Sequence, residues 1–237
     1  MGSRQMIAEI INDFQASAHK SLTHREIEVP VLPPDIRKAL AFVGMRRAGK
    51  TFLMHQLLQG LEADGVARRQ LCYVNFEDER LDDFRAGDLG LLLDVQAEMY
   101  PEVMDRQRYL FLDEIQVVDG WEKFVRRALD MEDVHVFLSG SSAKMLAAEV
   151  ASSLRGRGLS IEVSPFSFRE YLAHGGDSWG KNPSGKDSAR LRNRFNRYLN
   201  AGGFPEVARL DDELRISILQ EYVNVAILLD LVERHAV

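Results

Sequence analysis

Apolar residues alternate along the chain between short unbroken runs and helical spacings. Residues 39–43 form a continuous apolar run, which is typical of a buried strand in a parallel sheet, and residues 51–61 carry apolar side chains at helical spacing. The same pattern predicts strands at residues 70–76, 109–112, 134–138 and 159–163, and helices at residues 88–100, 121–131 and 143–153. Strands that alternate with helices predict an α/β fold with a parallel sheet.

The two ends of the chain follow a different pattern. Helices are predicted there at residues 5–18, 166–172, 189–199 and 214–235. A change of pattern near Pro165 divides the chain into a core of residues 1–164 and a small helical subdomain of residues 165–237. The last helical pattern runs on without a Gly or Pro stop signal, so we expect the sequence to be a piece of a longer protein.

A glycine-rich motif lies between the first predicted strand of the core and the helix after it. Residues 44–51 match G-x-x-x-x-G-K-T, in which the glycines allow several backbone N–H groups to surround one phosphate. Lys50 is expected to reach the β- and γ-phosphates of ATP, and the Thr51 hydroxyl to ligate Mg²⁺. The alternative is a chance match in a glycine-rich turn, which the flanking strand and helix argue against. The predicted nucleotide ligands are Gly44, Met45, Arg46, Arg47, Ala48, Gly49, Lys50, Thr51 and Phe52.

A second motif follows the apolar residues 109–112, which run into Asp113 and Glu114. An acidic residue at this strand end reaches the carboxyl edge of the sheet, where Asp113 is expected to hold Mg²⁺ through water. Glu114 is then the candidate general base for the attacking water. The alternative is a pair of carboxylates that only caps a strand. A strand between the two motifs and a Glu directly after the Asp are typical of ATPases that activate water.

A third motif lies where the apolar residues 134–138 lead into small hydroxyl residues. Ser139 and Ser141 are both candidates for a hydroxyl that points at the γ-phosphate or at the attacking water, and Ser139 is taken as the catalytic candidate. An ordinary strand–turn–helix junction, with a serine capping the next helix, explains either residue equally well.

Together these motifs resemble one group of bacterial and archaeal AAA-type ATPases, whose members carry an N-terminal ATPase domain and a C-terminal domain of unknown function. The similar stretches are residues 44–51, 112–116, 139–142, 154–157, 165–171 and 202–206. The resemblance implies an AAA-like P-loop NTPase core with sheet order 5-1-4-3-2, ATP as the nucleotide, and a C-terminal domain that this chain lacks. It also implies that Gln116 lies near the site and that Arg157 serves as an arginine finger.

Arg157 is expected at the rim of the nucleotide edge, from which it could stabilise charge in a neighbouring subunit's transition state. Three other arginines compete for this role: Arg155 in the same loop, and Arg46 and Arg47, which could act in cis from the phosphate loop. A surface arginine that forms a salt bridge is the plain alternative. The sequence therefore leaves open whether a finger acts in cis or in trans.

Charge and cysteine content limit the partners and the compartment. The formal net charge is -6 over 237 residues, so the chain as a whole does not attract nucleic acid, although arginines cluster in the predicted helix 189–199. That cluster is either a phosphate-binding surface or a solvated face. The single cysteine, Cys72, excludes an intrachain disulfide and fits a reducing cytoplasm, and the apolar residues 225–229 are too few to span a bilayer.

The motifs lead to one main functional hypothesis. The chain is expected to bind ATP with Mg²⁺ and to hydrolyse it to ADP and phosphate, coupled to conformational change. A low-turnover, nucleotide-gated switch that binds a protein partner needs the same phosphate site, as does a nucleic-acid-associated loader. The apolar C-terminal helix further predicts self-association or contact with a missing domain.

Overall fold

The structure is a computed structural model and describes residues 2–33, 35–140, 147–177 and 184–225. Its contacts divide the chain into two compact units. The first contains the chain up to Lys20, Val29–Val43 and Lys50–Glu162, and the second contains Ser21–Glu28, Gly44–Gly49 and the chain from Val163 onward. The longest segment of the second unit starts at Val163, two residues before the predicted subdomain, and its two shorter segments lie in what was predicted as the core.

The first unit is built on one parallel sheet. Its strands are β1 (Ala39–Val43), β2 (Leu71–Asn75), β3 (Arg108–Asp113), β4 (Val134–Gly140) and β5 (Gly158–Glu162). They lie in the order β2-β3-β4-β1-β5, and each neighbouring pair is parallel. The predicted α/β fold with sheet order 5-1-4-3-2 is therefore confirmed. All five residues of β1 are buried, because this strand lies between two others and under helices.

Helices flank this sheet. They are α1 (Ser3–Ala16), α2 (Lys50–Ala63), α3 (Gly90–Met99), α4 (Trp121–Met131) and α5 (Ala147–Ser153). The helix α1 contacts α3 and β2, whereas α2 and α4 contact β4 and α5 contacts β5. The predicted start of α5, at residues 143–146, lies outside the described residues. None of the helices in the described ranges is both long and apolar enough to cross a membrane.

The core of the first unit explains why these segments fold together. Apolar side chains from α1, the central strands and α4 form one buried cluster. The helix α4 buries one side, because apolar residues recur at helical spacing in its sequence: Trp121, Phe124, Val125, Ala128 and Leu129. The bounds of α4 are those predicted from the sequence. Gly120, directly before the helix, has a positive φ of 82° and ends the preceding turn.

The second unit contains α6 (Phe168–His174), α7 (Gly185–Ala201) and α8, whose described part is Asp212–Val225. The helix α7 begins four residues before its predicted start at residue 189, because the Ser184 hydroxyl accepts the backbone N–H of Asp187 and caps it. Tyr198 of α7 donates its hydroxyl hydrogen to the Phe166 carbonyl at 2.8 Å and so joins α7 to the start of the unit. Most of the apolar C-terminal segment on which self-association was predicted, residues 226–237, lies outside the described residues.

Candidate nucleotide site

The glycine-rich segment 44–49 connects β1 to α2 and has the conformation of a phosphate loop. Gly44 and Gly49 have φ values of +148° and +99°, which side-chain-bearing residues rarely adopt. A Cβ on Gly44 would lie 2.3 Å from the Val163 carbonyl oxygen, and one on Gly49 would lie 2.8 Å from Nη1 of Arg25. Both glycines are therefore required by conformation and by space, as a motif that curls around a phosphate predicts.

The helix α2 begins at the lysine of this motif. Lys50 is its first residue and is 4% exposed, and Thr51 is its second. The first turn of a helix carries partial positive charge and N–H groups without intrahelical partners, which favours an anion there. Phe52, also predicted to contact nucleotide, is half exposed, and the Lys20 ammonium lies 5.8 Å from its ring centroid.

Asp113 ends β3 and is completely buried. The Tyr73 hydroxyl from β2 donates to Oδ2 of Asp113 at 2.7 Å, and the Ser139 hydroxyl from β4 donates to Oδ1. The neighbouring strands therefore each supply one neutral donor to this carboxylate. Burial, together with the negative charge of Asp113, raises the pKa of the Tyr73 hydroxyl, so that it stays a hydrogen-bond donor across the physiological range.

Glu114 follows Asp113 in a left-handed conformation, with φ 54° and ψ 41°. Its backbone N–H donates to the Ser139 hydroxyl at 3.1 Å, and Nε2 of Gln116 donates to its Oε2 at 2.6 Å. The resemblance implied that Gln116 lies near the site, and its amide does contact the predicted base. These bonds fix both the backbone and the carboxylate of Glu114.

Backbone strain coincides with the predicted motifs. Among the described residues, the non-glycine residues with positive φ are Arg47 at 63°, Glu114 at 54° and Arg155 at 51°. They lie in the phosphate loop, the acidic motif and the loop of the proposed arginine finger. Such conformations cost about 1–3 kcal/mol each and concentrate at functional sites. The outliers at Arg47 and Glu114 mark the phosphate loop and the acidic motif as candidate functional segments. Arg155 instead has the left-handed conformation that is common directly after a helix, since the Gly156 N–H bonds the Ala151 carbonyl at the end of α5.

The side chains at this edge fit Mg²⁺. Within the described ranges, the buried Asp113 carboxylate is bonded by two neutral hydroxyls and by no basic side chain, and a buried carboxylate favours a cation nearby. Asp113 and Thr51 both offer oxygen atoms, the ligand type that Mg²⁺ prefers. No group of three or more His, Cys, Asp and Glu in the described ranges could hold a metal ion. In nucleotide sites Mg²⁺ is usually bound by one or two carboxylates together with water and phosphate oxygens.

The Ser139 hydroxyl contacts both acidic residues. It is completely buried, donates to Asp113 and accepts the N–H of Glu114, so it supports the acidic motif. Its expected contact with phosphate or the attacking water stays a prediction. Ser141, the other candidate, lies outside the described residues.

Arg157 does not lie at the nucleotide edge, and that expectation was wrong. It directly precedes β5, and its carbonyl accepts the N–H of Ala39, the first residue of the parallel strand β1. Arg157 is therefore at the amino edge of the sheet, whereas Asp113 is at the carboxyl edge. Its guanidinium forms an ion pair with Asp130. Whether Arg157 or the exposed Arg155 acts on a neighbouring subunit stays a prediction.

Sequence reasoning missed several polar residues that contact the predicted motifs, among them Tyr73 and Arg25. Tyr73 bonds Asp113, and Arg25 donates to the Ala48 carbonyl in the phosphate loop at 2.8 Å. A tyrosine inside an apolar strand predicted next to the Asp113 strand was a usable signal for the first. Nothing in the local sequence of residues 21–28 signals the second, because its contacts are all distant along the chain.

The arginine cluster on α7 is partly used within the protein. Arg194 forms an ion pair with Asp177 at 2.9 Å, and Arg197 donates to the Leu210 carbonyl at 3.2 Å. These contacts use one donor of each of the two arginines. Whether the cluster is a phosphate-binding surface or a solvated face stays a prediction.

The parallel sheet, the strained phosphate loop and the acidic motif at the end of β3 define an AAA-type P-loop nucleoside triphosphatase. Residues 36–172 match the family described as the AAA domain, which is more than half of the chain, and the chain belongs to this family. An uncharacterized protein of Methanocaldococcus jannaschii is 35% identical over 229 residues, covering 96% of this chain and 49% of that protein. An uncharacterized protein of Haemophilus influenzae is 31% identical over 195 residues, covering 82% of this chain and 46% of that protein. The chain thus spans about half the length of these relatives.

The solved structures that this chain matches share little sequence with it. AMPPCP-bound DnaA from Aquifex aeolicus has a TM-score of 0.40 and 16% identity, covering 80% of this chain and 63% of that one. Hsp104 of S. cerevisiae, in a casein complex, has a TM-score of 0.43 and 17% identity, covering 94% of this chain and 38% of that one. Similarity at this level is too low to inform on function.

Proposed function

We propose that the protein binds ATP with Mg²⁺ and hydrolyses it to ADP and phosphate, and that this reaction drives a conformational change. The observation that carries the proposal is the phosphate loop, with positive φ at Gly44, Arg47 and Gly49 and a buried Lys50 at the start of α2. The acidic residues at the end of β3, held by hydrogen bonds in one arrangement, support it.

Each residue has a defined part in this reaction. The loop N–H groups and Lys50 bind the β- and γ-phosphates and stabilise the charge that develops on them. Glu114 accepts a proton from the attacking water while the water oxygen bonds to the γ-phosphorus and the bond to ADP breaks. Gln116 keeps the Glu114 carboxylate in one orientation through its 2.6 Å hydrogen bond. When bound at Thr51 and Asp113, Mg²⁺ supplies positive charge to the phosphate oxygens.

Contacts of Arg47 support coupling to a conformational change. Its guanidinium pairs with Glu206 at 2.6 Å and lies 4.6 Å from the ring centroid of Tyr222 on α8. The phosphate loop is thereby linked, within the second unit, to the helical segment. A bound phosphate that attracts Arg47 competes with Glu206 for it, so nucleotide binding weakens this link.

The assignment of the phosphate loop is tested by Lys50→Ala. We expect ATP affinity to fall below detection in calorimetry, because the substitution removes the point charge on the phosphates. Lys123→Ala, at an exposed lysine of α4, is the matched control and should bind as the wild type does. Unchanged ATP affinity of Lys50→Ala would show that the loop does not bind nucleotide.

The role of Glu114 separates an ATPase from a switch. Glu114→Gln should bind ATP with Mg²⁺ as tightly as the wild type and lose turnover, since the amide does not accept the water's proton. Steady-state phosphate release is the measurement, with Glu122→Gln on α4 as the control. A wild type that binds ATP but releases phosphate no faster than Glu114→Gln indicates the low-turnover switch that binds a protein partner.

The proposal includes a cytoplasmic location and a partner. Cys72 is free and buried, and burial raises the pKa of its thiol to about 12, which suits an inert thiol in a reducing compartment. A second subunit that supplies Arg157 or Arg155 is proposed for the reaction itself. Mixing Arg157→Ala with Glu114→Gln should then restore activity, since some interfaces would combine an intact Glu114 with an intact Arg157.

A further inference from the structure

Arg25 lies in the short segment 21–28, which packs with the phosphate loop in the second unit. Its side chain is only 2% exposed, and all three nitrogens donate hydrogen bonds. Nε donates to Oε1 of Glu170 at 2.8 Å, Nη1 to the Ala48 carbonyl at 2.8 Å and Nη2 to the Ser164 carbonyl at 2.6 Å. The planar guanidinium therefore joins the phosphate loop to two points in the later part of the chain.

Glu170 holds Arg25 in this position. Its Oε1 also accepts the Glu26 N–H at 2.8 Å, and its Oε2 accepts the Ser167 N–H at 2.7 Å, which completes the cap of α6. Burial alone raises the pKa of Glu170, but the hydrogen bonds from Arg25, Ser167 and Glu26 outweigh it and leave the pKa below its ordinary value. The carboxylate is therefore charged at neutral pH, and it pairs with Arg25 in a buried setting.

The hydrogen bond from Arg25 to Ala48 controls the direction of a backbone N–H group that can donate to a phosphate. The peptide bond between Ala48 and Gly49 is planar and trans, so the N–H of Gly49 points opposite to the carbonyl of Ala48. By fixing that carbonyl, Arg25 also fixes the Gly49 N–H. The N–H groups of such a loop are the donors that surround a phosphate.

Gly49 has a second requirement that depends on Arg25. A Cβ at this position would lie 2.8 Å from Nη1 of Arg25, so a side chain there would displace the guanidinium from its place. The second glycine of the motif thus accommodates the positioning side chain as well as the positive φ. This close approach indicates that Arg25 and the loop form one arrangement.

We propose that Arg25, held by Glu170, is a positioning residue for nucleotide binding that acts through the Ala48–Gly49 peptide. This inference rests on the proposed binding of ATP at the phosphate loop. The family match begins at residue 36, so Arg25 lies before it. Lysine at this position keeps the charge but has one ammonium group, which does not reproduce three donors in a plane.

The test compares Arg25→Lys with a matched control, Arg108→Lys. Arg108 is also buried, pairs with Glu132 at 2.7 Å and donates to the Leu93 carbonyl, but it lies at the amino end of β3. We expect both substitutions to lower the melting temperature. Only Arg25→Lys should raise the Kd for a fluorescent ATP analogue, by about tenfold for one lost charge-assisted hydrogen bond.

A second variant covers the case in which Arg25→Lys does not fold. Glu170→Gln leaves an amide oxygen for Nε of Arg25 and should raise the Kd by a smaller factor, with affinity measured below its melting temperature. An unchanged Kd in the folded variants, or an equal rise in Arg108→Lys, overturns the inference. Failure of the wild type to bind the analogue, or equal binding by Lys50→Ala, would instead overturn the proposed ATP binding. These two results are distinct from those that overturn the role of Arg25.

Discussion

Two arginine–glutamate pairs hold the phosphate loop, and they differ in burial more than in geometry. Arg25 and Glu170 are 2.8 Å apart with side chains 2% and 4% exposed, whereas Arg47 and Glu206 are 2.6 Å apart with side chains 47% and 49% exposed. Ranked by distance, the exposed pair would seem the stronger. Burial reverses that order, because removing one partner of a buried pair leaves a charge without water, whereas water screens an exposed one.

The difference in burial gives the two ion pairs different effects on the phosphate loop. The buried pair has no access to water that could replace either partner, so it keeps the loop in one conformation. The exposed pair exchanges readily with solvent and salt, so a phosphate or another charged group can displace it. Arg25 therefore keeps the phosphate loop in one conformation, whereas Arg47 can change its partner when a phosphate binds.

The largest expected effect comes from breaking the buried pair. Glu170→Ala should lower the free energy of unfolding by about 3–5 kcal/mol, because Arg25 is left buried without its carboxylate. Urea denaturation measures this loss, and Glu206→Ala serves as the matched control at the exposed pair. Equal losses in the two variants would remove the distinction between the pairs.

A double substitution separates the effect of the buried pair on the free energy of unfolding from its effect on ATP affinity. Arg25→Met combined with Glu170→Leu replaces the pair by apolar side chains of similar volume, which often restores stability. We expect most of the unfolding free energy to return while ATP affinity stays weak. Recovery of both properties would mean that an apolar contact positions the loop as well as Arg25 does.

A smaller effect is expected from pH, and its source lies outside both pairs. Burial, and then the charges of Lys20 and Arg68, lowers the pKa of His55 from 6.5 to about 4. The unfolded chain therefore takes up a proton at a pH where the folded chain does not, and stability falls as the pH drops from above 6.5 towards 4. After allowance for solvent screening at this half-buried ring, the loss is about 1 kcal/mol.

The substitution His55→Phe removes the titration of His55 and leaves that of Glu170 and Glu206 in the two ion pairs. It keeps the ring beside Tyr73, whose centroid is 4.8 Å away, and should lessen the fall in stability between pH 6.5 and 4.5. Burial also lowers the pKa values of His135 and His174, so these two residues account for the slope that remains. The pKa values of Glu170 and Glu206 are both below the ordinary value, so stability from either pair is lost only as the pH falls below about 4.5. A slope above that pH as steep in His55→Phe as in the wild type would show that His55 does not contribute.

The smallest effect is expected at the exposed pair. Glu206→Gln should change the unfolding free energy by less than about 1 kcal/mol, and the change should shrink as salt is raised, because charges in water are screened. Its influence should appear instead in ATP affinity, which rises when Arg47 is released. A loss that is unaffected by salt would indicate that Glu206 contributes by packing.

The sequence predicted those parts of the molecule that depend on local pattern. The strand β1 and the helix α4 could be located because their apolar residues recur without interruption or at helical spacing. The start of α7 was missed, because Ser184 and Gly185 belong to a loop-like composition and only the cap bond shows where the helix begins. Asp113 and Glu114 were identified from the strand that precedes them.

The supports of the site depend on contacts between distant parts of the chain. Ser139 was proposed as a contact of phosphate or water, and its hydrogen bond to Asp113 on the neighbouring strand could not be predicted from the sequence. Arg25 and Glu170 are 145 positions apart in the sequence. Hydrophobic periodicity predicts only local elements, so it could not predict this contact. Arg157 was misplaced because the end of a parallel sheet at which a residue lies depends on whether it precedes or follows its strand.

The position of Arg25 also affects how the protein is divided experimentally. A fragment limited to the family-matched residues 36–172 would retain Glu170 but not the arginine that neutralises it. The same cut would remove α1, whose Ile7, Ile10 and Ile11 are buried in the core of the first unit. Such a fragment is expected to aggregate, since it exposes an apolar surface and buries a lone carboxylate. The described residues ahead of position 36, with α1 and Arg25, are therefore a structural part of this AAA domain, and expression boundaries should be drawn ahead of α1.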